Sequence, residues 1–514
     1  MGAPVPNDAR LKGPFKPMRF EATVEDCTVS QGEIPKDLYG GFYRVGPSWK
    51  RPTKQGTVGL LSMDGMVQGL VLNEGRADFR NRWIRTPKYL LEEKHGKGMF
   101  EWSDGKWDDW RNFGWGNVKR DSFNRGISQG TNNINTFPFA GEVLASGEQG
   151  GPPIALDPFT LETKGVVRWS NQLSHGIHAS AGKANGNGEG IIDPTADADA
   201  VFAAHPKWDH DTGELFGFAF SDEPPYVTIH IVSPDGNVTS KPLHDAPFHS
   251  NAHDIWLTPD HIVMPFQPFT STPKRIERGL GVFGWNPDEL PMTIALIPRK
   301  GFPDAPARFI ELDIEPEYVM HTLSCNVEDG KLMLDAPIFN RPPFPFETDF
   351  KEGDDVALFF SLAKSTLGRW TVDLETGKTK TERLDDRPAE LPKVDERYYG
   401  KGYNFGFLIA GDPKGKGMSM KDLVVRDAKS GAEQVYRIRH DTPAAVLEAS
   451  FAPRHVDSPE GDGYIIVPVS KWAQDLSEFL IFDTEDITQG PVATIDIPFH
   501  MGWTPHGHYM DFRS

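Results

Sequence analysis

The chain has 514 residues, of which 38% are hydrophobic and 25% are charged, a composition that predicts a soluble globular protein with a large core. Its formal net charge of −19 and the lack of a Lys and Arg cluster argue against a nucleic-acid partner, because phosphate binding requires grouped cations. No apolar run approaches the roughly 20 residues that a membrane-spanning helix needs, which leaves only peripheral membrane contact open.

The two cysteines, Cys27 and Cys325, are too few for a disulfide framework or a thiolate zinc site. We expect both to be reduced thiols in a cytoplasmic protein. The first residues lack the basic region and apolar run of a signal peptide, which agrees with that expectation.

Short apolar runs that end in turn residues follow one another along the whole chain. Each run holds strand-type residues over about 4–8 positions and is followed by Gly, Pro, Asp or Asn. Clear examples of predicted strands are Tyr39–Val45, Gly141–Ala145, Val227–Val232 and Gly463–Val469. Hairpin turns are predicted at Pro234–Gly236, Glu328–Gly330 and Leu374–Gly377.

Helical periodicity is limited to weak patterns at Thr86–His95 and Ala473–Phe479. No linker or shift of composition divides the chain, so residues 1–514 are predicted to form one domain. Many short antiparallel strands in one long unit favour a β-propeller or a large barrel. The Trp-, Phe- and Pro-rich stretches Phe100–Asn124 and Thr270–Phe302 are predicted to be irregular loops that cover one face.

The stretch His249–Thr258, near the middle of the chain, predicts a turn that leads into a short strand. A second strand, His261–Phe266, is predicted after the turn at Pro259 and Asp260. A histidine such as His253 at the inner end of a strand has three ordinary roles, as a metal ligand, as a general base or as a buried group bonded to a carbonyl. The sequence around this one histidine does not choose between them.

Four of the 16 histidines share a local pattern in which the histidine stands beside a strand-like run or a turn. They are His205 in Ala-Ala-His-Pro-Lys, His253 in Ala-His-Asp, His321 in Met-His-Thr and His506 in Thr-Pro-His-Gly. Their separations are far too wide for a zinc finger or a helical His-Glu-x-x-His pair. They can meet only if the fold brings separate sheets to one axis, as a propeller does.

Nine segments spread over nearly the whole chain match one known family in the same order. The segments are Gly40–Pro47, Met63–Met66, Asn81–Thr86, Ala155–Thr163, Ala204–Gly213, Ala252–Asp254, Arg369–Leu374, Ser458–Tyr464 and Pro505–Gly507. With this set the chain resembles the carotenoid cleavage oxygenases, and within them the lignostilbene-type dioxygenases. The resemblance implies an all-β, seven-bladed β-propeller, with loops and short helices covering one face.

The same resemblance implies one Fe(II) on the propeller axis, with four histidines as its ligands. Carried over position by position, these are His205, His253, His321 and His506. Neutral imidazoles suit a divalent metal of borderline softness, and four of them leave coordination positions for O2. No catalytic residue beyond this metal site is implied.

Three glutamates are implied to accept the other ring N–H of three of these histidines, which would fix the tautomer of each ring. The implied pairs are Glu148 with His253, Glu390 with His321, and Glu460 with His506. Two further histidines stand close in sequence to the four and are substitute candidates if the match slips. These are His508, two residues after His506, and His249, four residues before His253.

Lignostilbene-type enzymes hold the phenol oxygen of the substrate with a tyrosine and a lysine. The match puts Trp102 or Ser103 at the tyrosine position and Gly147 at the lysine position, so the phenolate route would need a substitute lysine nearby in sequence, such as Lys106. Aromatic residues of the inserts are candidates for the lining of an apolar substrate tunnel. The candidate substrate-binding residues are Phe100, Trp102, Ser103, Phe344 and Phe346, with Trp107, Trp110 and Trp115 nearby in sequence.

The resemblance therefore implies a non-haem Fe(II) dioxygenase that takes a small apolar conjugated substrate and O2. Its reaction would cleave a conjugated C=C bond of a stilbene, phenylpropene or vinylphenol and give carbonyl products such as aromatic aldehydes. Two alternatives within the family are cleavage of an apocarotenoid or carotenoid, and a non-oxygenating isomerisation on the same iron. Outside the family stands a propeller that serves as a binding scaffold or a hydrolase, with structural histidines.

Overall fold

The computed structural model is built from antiparallel β-sheets. It describes residues 5, 11–52, 63–100, 130–148, 152–167, 202–220, 224–270, 284–343, 363–412 and 420–513. Apart from short 3-10 turns, the described part of the chain holds one helix, α1 (Pro87–His95). The prediction of an all-β fold is therefore confirmed, whereas the number of propeller blades stays a prediction.

The strands are short and follow one another closely from the N-terminus to the C-terminus. The first are β1 (Ala22–Val24), β2 (Val29–Gly32), β3 (Gly40–Ser48), β4 (Asp64–Asn73), β5 (Arg76–Trp83), β6 (Asn135–Phe139), β7 (Glu142–Ser146), β8 (Ile154–Leu156), β9 (Thr163–Val166), β10 (Lys207–Trp208) and β11 (Leu215–Phe220). The next are β12 (Val227–Val232), β13 (Val238–Pro242), β14 (Trp256–Leu257), β15 (His261–Phe266), β16 (Phe269–Thr270), β17 (Gly284–Trp285), β18 (Thr293–Pro298), β19 (Arg308–Glu311), β20 (Tyr318–Val319), β21 (Ser324–Glu328) and β22 (Lys331–Phe339). The last are β23 (Ser365–Asp373), β24 (Thr379–Val394), β25 (Phe405–Gly411), β26 (Met420–Asp427), β27 (Glu433–Arg437), β28 (Ala445–Val446), β29 (Ser450–Pro453), β30 (Gly463–Lys471), β31 (Leu476–Asp483), β32 (Ala493–Ile497) and β33 (His506–Asp511).

Most sheets consist of neighbouring strands joined by hairpins. Their strand orders are β1-β5-β4-β3-β33, β6-β7-β8-β9, β10-β11-β12-β13, β14-β15-β18-β19 and β2-β32-β31-β30-β28, the last with β29 also on β30. The largest is β20-β22-β23-β24-β25-β26-β27, with β21 also on β22, and β16 and β17 form a separate ribbon. The 16-residue strand β24 pairs with β23 through its first half and with β25 through its second half.

The two ends of the chain exchange strands. The C-terminal strand β33 joins the first sheet, where Val45 of β3 lies opposite His506. The early strand β2 joins the last sheet by pairing with β32. The position of His506 is therefore set by a strand ladder with the N-terminal part of the chain.

Apolar clusters pack each large sheet against the next one along the chain. The sheet of β3 and β4 contacts that of β7 and β8, which contacts that of β11 and β12. One cluster joins β11 and β12 to β15 and β18, and another joins β15 and β18 to β22 and β23. A third joins β23 to β25 and β26. The next joins β25 and β26 to β30 and β31, and the last joins β31 back to β4 and β5. The packing therefore returns to its starting sheet, and the core lies between sheets.

The predicted strands Val227–Val232 and His261–Phe266 are confirmed with those bounds. The predicted helix at Thr86–His95 is also confirmed. Thr86 caps α1 by accepting a hydrogen bond from the backbone N–H of Tyr89, and Gly96 ends it with a positive φ of 68°.

Two predictions about local structure are wrong. Ala473–Phe479 is not a helix, because the 3-10 turn Trp472–Gln474 leads into strand β31, which pairs on both sides. Thr270–Phe302 is not wholly irregular, because Thr293–Pro298 is strand β18 and pairs with β15. Ile294 and Ile297 on the two faces of β18 are both fully buried, which explains an apolar run without alternation.

Both cysteines are buried and unbridged. A cytoplasmic location stays a prediction. Among the described residues, α1 is the one α-helix and is too short and too polar to cross a bilayer.

We expect Phe79→Ala to lower the free energy of unfolding by about 3–5 kcal/mol, because it leaves a cavity between the first and last sheets. The Phe79 ring is fully buried and lies 6.1 Å from the ring of Phe479. The matched control is Phe159→Ala, since Phe159 is 50% exposed and loses mainly its ring contact with Phe512 at 4.8 Å, which should lower stability by about 1 kcal/mol. Urea unfolding measures both, and equal losses would contradict packing between these sheets.

Candidate metal centre

Four imidazoles from four distant parts of the chain meet in the interior. The ring centroid of His205 lies 4.5 Å from that of His253, 4.9 Å from that of His321 and 4.4 Å from that of His506. One potential ligand atom from each residue lies within 4.8 Å of the other three, and all four residues are buried. The structure thus brings together the whole set that the sequence singled out.

Each histidine stands at the start of a strand. His205 precedes β10, His253 precedes β14 and His321 precedes β21, while His506 is the first residue of β33. These strands belong to four different sheets. The strand starts therefore converge on one point, which is why the histidines can be far apart in sequence and adjacent in space.

The ring nitrogens that face the centre fit a bound cation. The Nε2 atoms of His205, His253 and His321 are buried and have no hydrogen-bond partner within the part of the chain that the structure describes. Leaving a buried polar atom unpaired costs about 1–3 kcal/mol, and here several such atoms meet. Imidazole nitrogens are good ligands for zinc, copper, iron and nickel, so the donor set fits a divalent transition metal.

The electrostatic environment keeps two of the rings neutral, as metal ligation requires. Burial, followed by the three neighbouring histidines, lowers the pKa of His205 well below its usual value. Burial also lowers the pKa of His506 to about 3, although the adjacent Glu448 opposes it. For His321 burial is outweighed by the carboxylate of Glu390, which raises the pKa of that histidine.

The structure puts Glu148 and Glu390 beside the histidines with which the resemblance pairs them. Nδ1 of His253 lies 2.8 Å from Oε1 of Glu148. Nδ1 of His321 lies 2.6 Å from Oε2 of Glu390. A carboxylate on Nδ1 leaves Nε2 as the free lone pair, which is the nitrogen that faces the centre.

The predicted pair of His506 with Glu460 is wrong, because Glu448 occupies that place. Oε1 of Glu448 lies 3.0 Å from Nδ1 of His506, and its Oε2 accepts the backbone N–H of Gly507 at 2.9 Å. Burial raises the pKa of Glu448, but Lys393 and His506 outweigh it, so the pKa is lowered and the carboxyl is ionised.

Glu460 instead stabilises a turn at the surface. Its carboxylate accepts the backbone N–H of Asn404 at 2.7 Å and that of Phe405 at 2.9 Å, where β25 begins. The signal that could have identified Glu448 is its setting, a single acid within the apolar run Ala-Ala-Val-Leu-Glu-Ala-Ser-Phe. A carboxylate in such a run is buried only when it has partners.

The two substitute histidines lie outside the group. His508 is buried but turns to Glu396, whose Oε1 is 2.5 Å from its Nδ1, and its ring contacts Trp208. His249 is buried with its Nδ1 3.3 Å from the hydroxyl of Thr270. Neither is needed to complete the set of four.

Most of the candidate substrate-binding residues lie outside the described residues, namely Trp102, Ser103, Phe344 and Phe346. Phe100 is described and is buried against Met99 and Leu91. Gly147 is buried next to Glu148, so the residue at the predicted lysine position offers no side chain beside the site.

Comparison with known proteins gives full-length matches. The family model of the retinal pigment epithelial membrane protein, RPE65, matches residues 15–511. Isoeugenol monooxygenase of Pseudomonas nitroreducens is 29% identical to this chain in an alignment that covers 98% of each chain. Lignostilbene-alpha,beta-dioxygenase isozyme III of Sphingomonas paucimobilis is 27% identical and also covers 98% of each. The crystal structure of lignostilbene dioxygenase from Pseudomonas brassicacearum matches with a TM-score of 0.80 and 29% identity, covering 99% of this chain and 100% of that one.

We expect Glu448→Gln to weaken binding of a divalent transition metal about 10- to 100-fold, because the amide cannot hold the His506 ring as the carboxylate does. Anaerobic titration with Fe(II) against a competing chelator measures the affinity. Glu460→Gln is the matched control and should leave the affinity unchanged while it lowers thermal stability. A loss of affinity in Glu460→Gln alone would contradict the assignment of Glu448.

His249 should make the protein sensitive to mild acid. Burial lowers the pKa of His249 to about 4 from the ordinary 6.5. Below pH 6.5 the histidine is therefore protonated in the unfolded chain but stays neutral in the folded chain, which favours unfolding. Between pH 7.5 and pH 5 we expect wild type to lose about 2 kcal/mol more of its unfolding free energy than His249→Gln. Urea unfolding at the two pH values measures the difference, and parallel losses would refute it.

Proposed function

The chain belongs to the family of RPE65 and the carotenoid cleavage oxygenases, and from that membership we propose that it is a non-haem Fe(II) dioxygenase that cleaves aromatic alkenes. In the proposed reaction O2 splits a conjugated C=C bond, and each carbon receives one oxygen atom to give two carbonyl products. The observation that carries the proposal is the group of four buried imidazoles whose ring nitrogens face one another. Isoeugenol monooxygenase and lignostilbene dioxygenase, similar over their whole lengths, support the choice of an aromatic alkene.

The proposed iron ligands are His205, His253, His321 and His506, the residues whose ring nitrogens converge. When bound, the metal would supply the binding and activation of O2. Glu148, Glu390 and Glu448 would each hold one ring in the tautomer that presents Nε2 to the centre. Burial of the site excludes bulk water, which protects reactive species from side reactions.

We propose that the sheets form the seven blades of one propeller. The large sheet would contribute two blades that share β24, since β24 pairs with β23 in its first half and β25 in its second. The other five sheets of four or more strands would contribute one blade each. Packing that runs from sheet to sheet and returns to the first supports a single ring, with the metal on its axis.

The proposed substrate is held by apolar contacts and not as a phenolate. Gly147 at the lysine position provides no cation beside Glu148, and the tyrosine position falls on Trp102 or Ser103. An ionised phenol would then lie near Glu148 without the cation that the lysine position supplies in lignostilbene-type enzymes, which is unfavourable in a buried site. We therefore propose that a 4-methoxy alkene is accepted at least as well as its 4-hydroxy counterpart.

We expect the Fe(II)-loaded protein to convert phenylpropenes and stilbenes aerobically into aromatic aldehydes. When the reaction is run under 18O2, each carbonyl product should contain one 18O atom. His253→Ala should abolish iron binding and turnover, because it removes a ligand and leaves Glu148 unpaired. The matched control is His261→Ala, since His261 lies on β15, is partly exposed and is absent from the group of four. Product mass spectrometry and metal analysis give the result.

Three outcomes would count against this function. Turnover without O2 would indicate an isomerase. Cleavage confined to apocarotenoids would make apocarotenoids, and not aromatic alkenes, the substrate class. Full turnover in His253→Ala without iron would end the oxygenase proposal.

A further inference from the structure

Asp254, the residue after His253, is a buried carboxylate that contacts all three segments carrying His205, His253 and His321. Its Oδ1 and Oδ2 lie 3.0 and 3.1 Å from Nζ of Lys207, which is two residues after His205. Its Oδ2 also accepts the backbone N–H of Thr322 at 2.8 Å, directly after His321.

The contacts use the full capacity of this carboxylate. The hydroxyl of Thr322 lies 2.9 Å from Oδ2 and 2.9 Å from the backbone carbonyl oxygen of Ile255, so these two acceptors share its one proton. The backbone N–H of Ile255 donates to Oδ1 at 2.7 Å. Asp254, Lys207 and Thr322 are 2%, 7% and 4% exposed, so water hardly competes for these bonds. Five short contacts on one buried carboxylate fix the three chain segments relative to one another.

The fourth histidine is supported separately. His506 is held by Glu448, and Lys393 reaches both that carboxylate, at 3.5 Å, and the backbone carbonyl of Gly507, at 3.2 Å. Two separate groups of buried contacts therefore hold the four imidazoles. One is centred on Asp254 and holds the segments of three rings, and the other is centred on Lys393 and holds the fourth.

We propose that Asp254 is a positioning residue that sets the mutual arrangement of His205, His253 and His321 before the metal binds. The inference rests on the proposed function only in that the four histidines hold a metal. Asp254 itself points to Lys207 and Thr322 and belongs to no ligand pair. A site whose ligands are fixed in advance needs no ordering of three segments when a cation enters, and it releases the cation slowly.

The test measures the release of Co(II) from the loaded protein into excess chelator, together with the visible absorption spectrum of bound Co(II), which reports its coordination. Asp254→Asn keeps the size of the side chain but removes the charge that holds Lys207 and turns an N–H2 toward a donor. We expect release to be about 10- to 100-fold faster, with a changed spectrum. Thr322→Val removes only the hydroxyl, with its contacts to Asp254 and to the backbone carbonyl of Ile255, and should give a smaller acceleration in the same direction.

The matched control is Asp422→Asn. Asp422 is 5% exposed and paired with Arg437 through two bonds of 2.7 and 2.8 Å, on a strand that carries no histidine of the group. This variant should lower the melting temperature of the metal-free protein and leave the Co(II) release rate and spectrum as in wild type. A merely structural role for Asp254 would make the two asparagine variants behave alike.

Wild-type release rates and spectra in both Asp254→Asn and Thr322→Val would overturn the inference. If Asp254→Asn does not fold, Thr322→Val decides alone, because faster release supports the inference and an unchanged rate contradicts it. Failure of wild type to bind either Co(II) or Fe(II) would overturn the proposed function and the inference with it. Binding by wild type with unaffected variants would overturn the inference alone.

Discussion

Four imidazoles can be buried against one another only if both nitrogens of each ring are used. A neutral ring has one N–H to donate and one lone pair to offer, and either is costly when left unpaired away from water. In this protein Glu148, Glu390 and Glu448 take the N–H of three rings. The lone pairs are then aimed at a common centre. Lys393 compensates the charge of Glu448, and a divalent cation at that centre would offset the negative charge of Glu148 and Glu390.

The remainder of the fold serves to bring these groups together. Each of the four histidines stands where a strand begins, and the four strands lie in different sheets that pack one on the next until the last meets the first. The exchange of strands between the chain ends matters most for His506, because its place depends on pairing with β3. Buried ion pairs beneath the rings, centred on Asp254 and Lys393, then limit how far the strand starts can shift. Loss of these ion pairs should change the geometry of the site more than it lowers the stability of the fold.

The sequence predicted the parts of this arrangement that have a local pattern. The four histidines have one in the residues beside a strand start, the all-β class has one in short apolar runs, and helix α1 has one in its helical periodicity. The prediction of Glu460 rests on its place in a matched motif, whereas the link between Glu448 and His506 exists only in the folded chain. Ala473–Phe479 and Thr293–Pro298 were misjudged for a similar reason, since pairing with neighbouring strands decides their conformation and their own residues do not.

The proposed function requires one metal ion that all four histidines hold at once. Anomalous X-ray diffraction at the iron absorption edge, from crystals of protein purified without chelator, tests this most directly. We expect one strong peak per chain, within bonding distance of ring nitrogens of His205, His253, His321 and His506. A peak at any other position, or active crystals with no peak between these four rings, would contradict it.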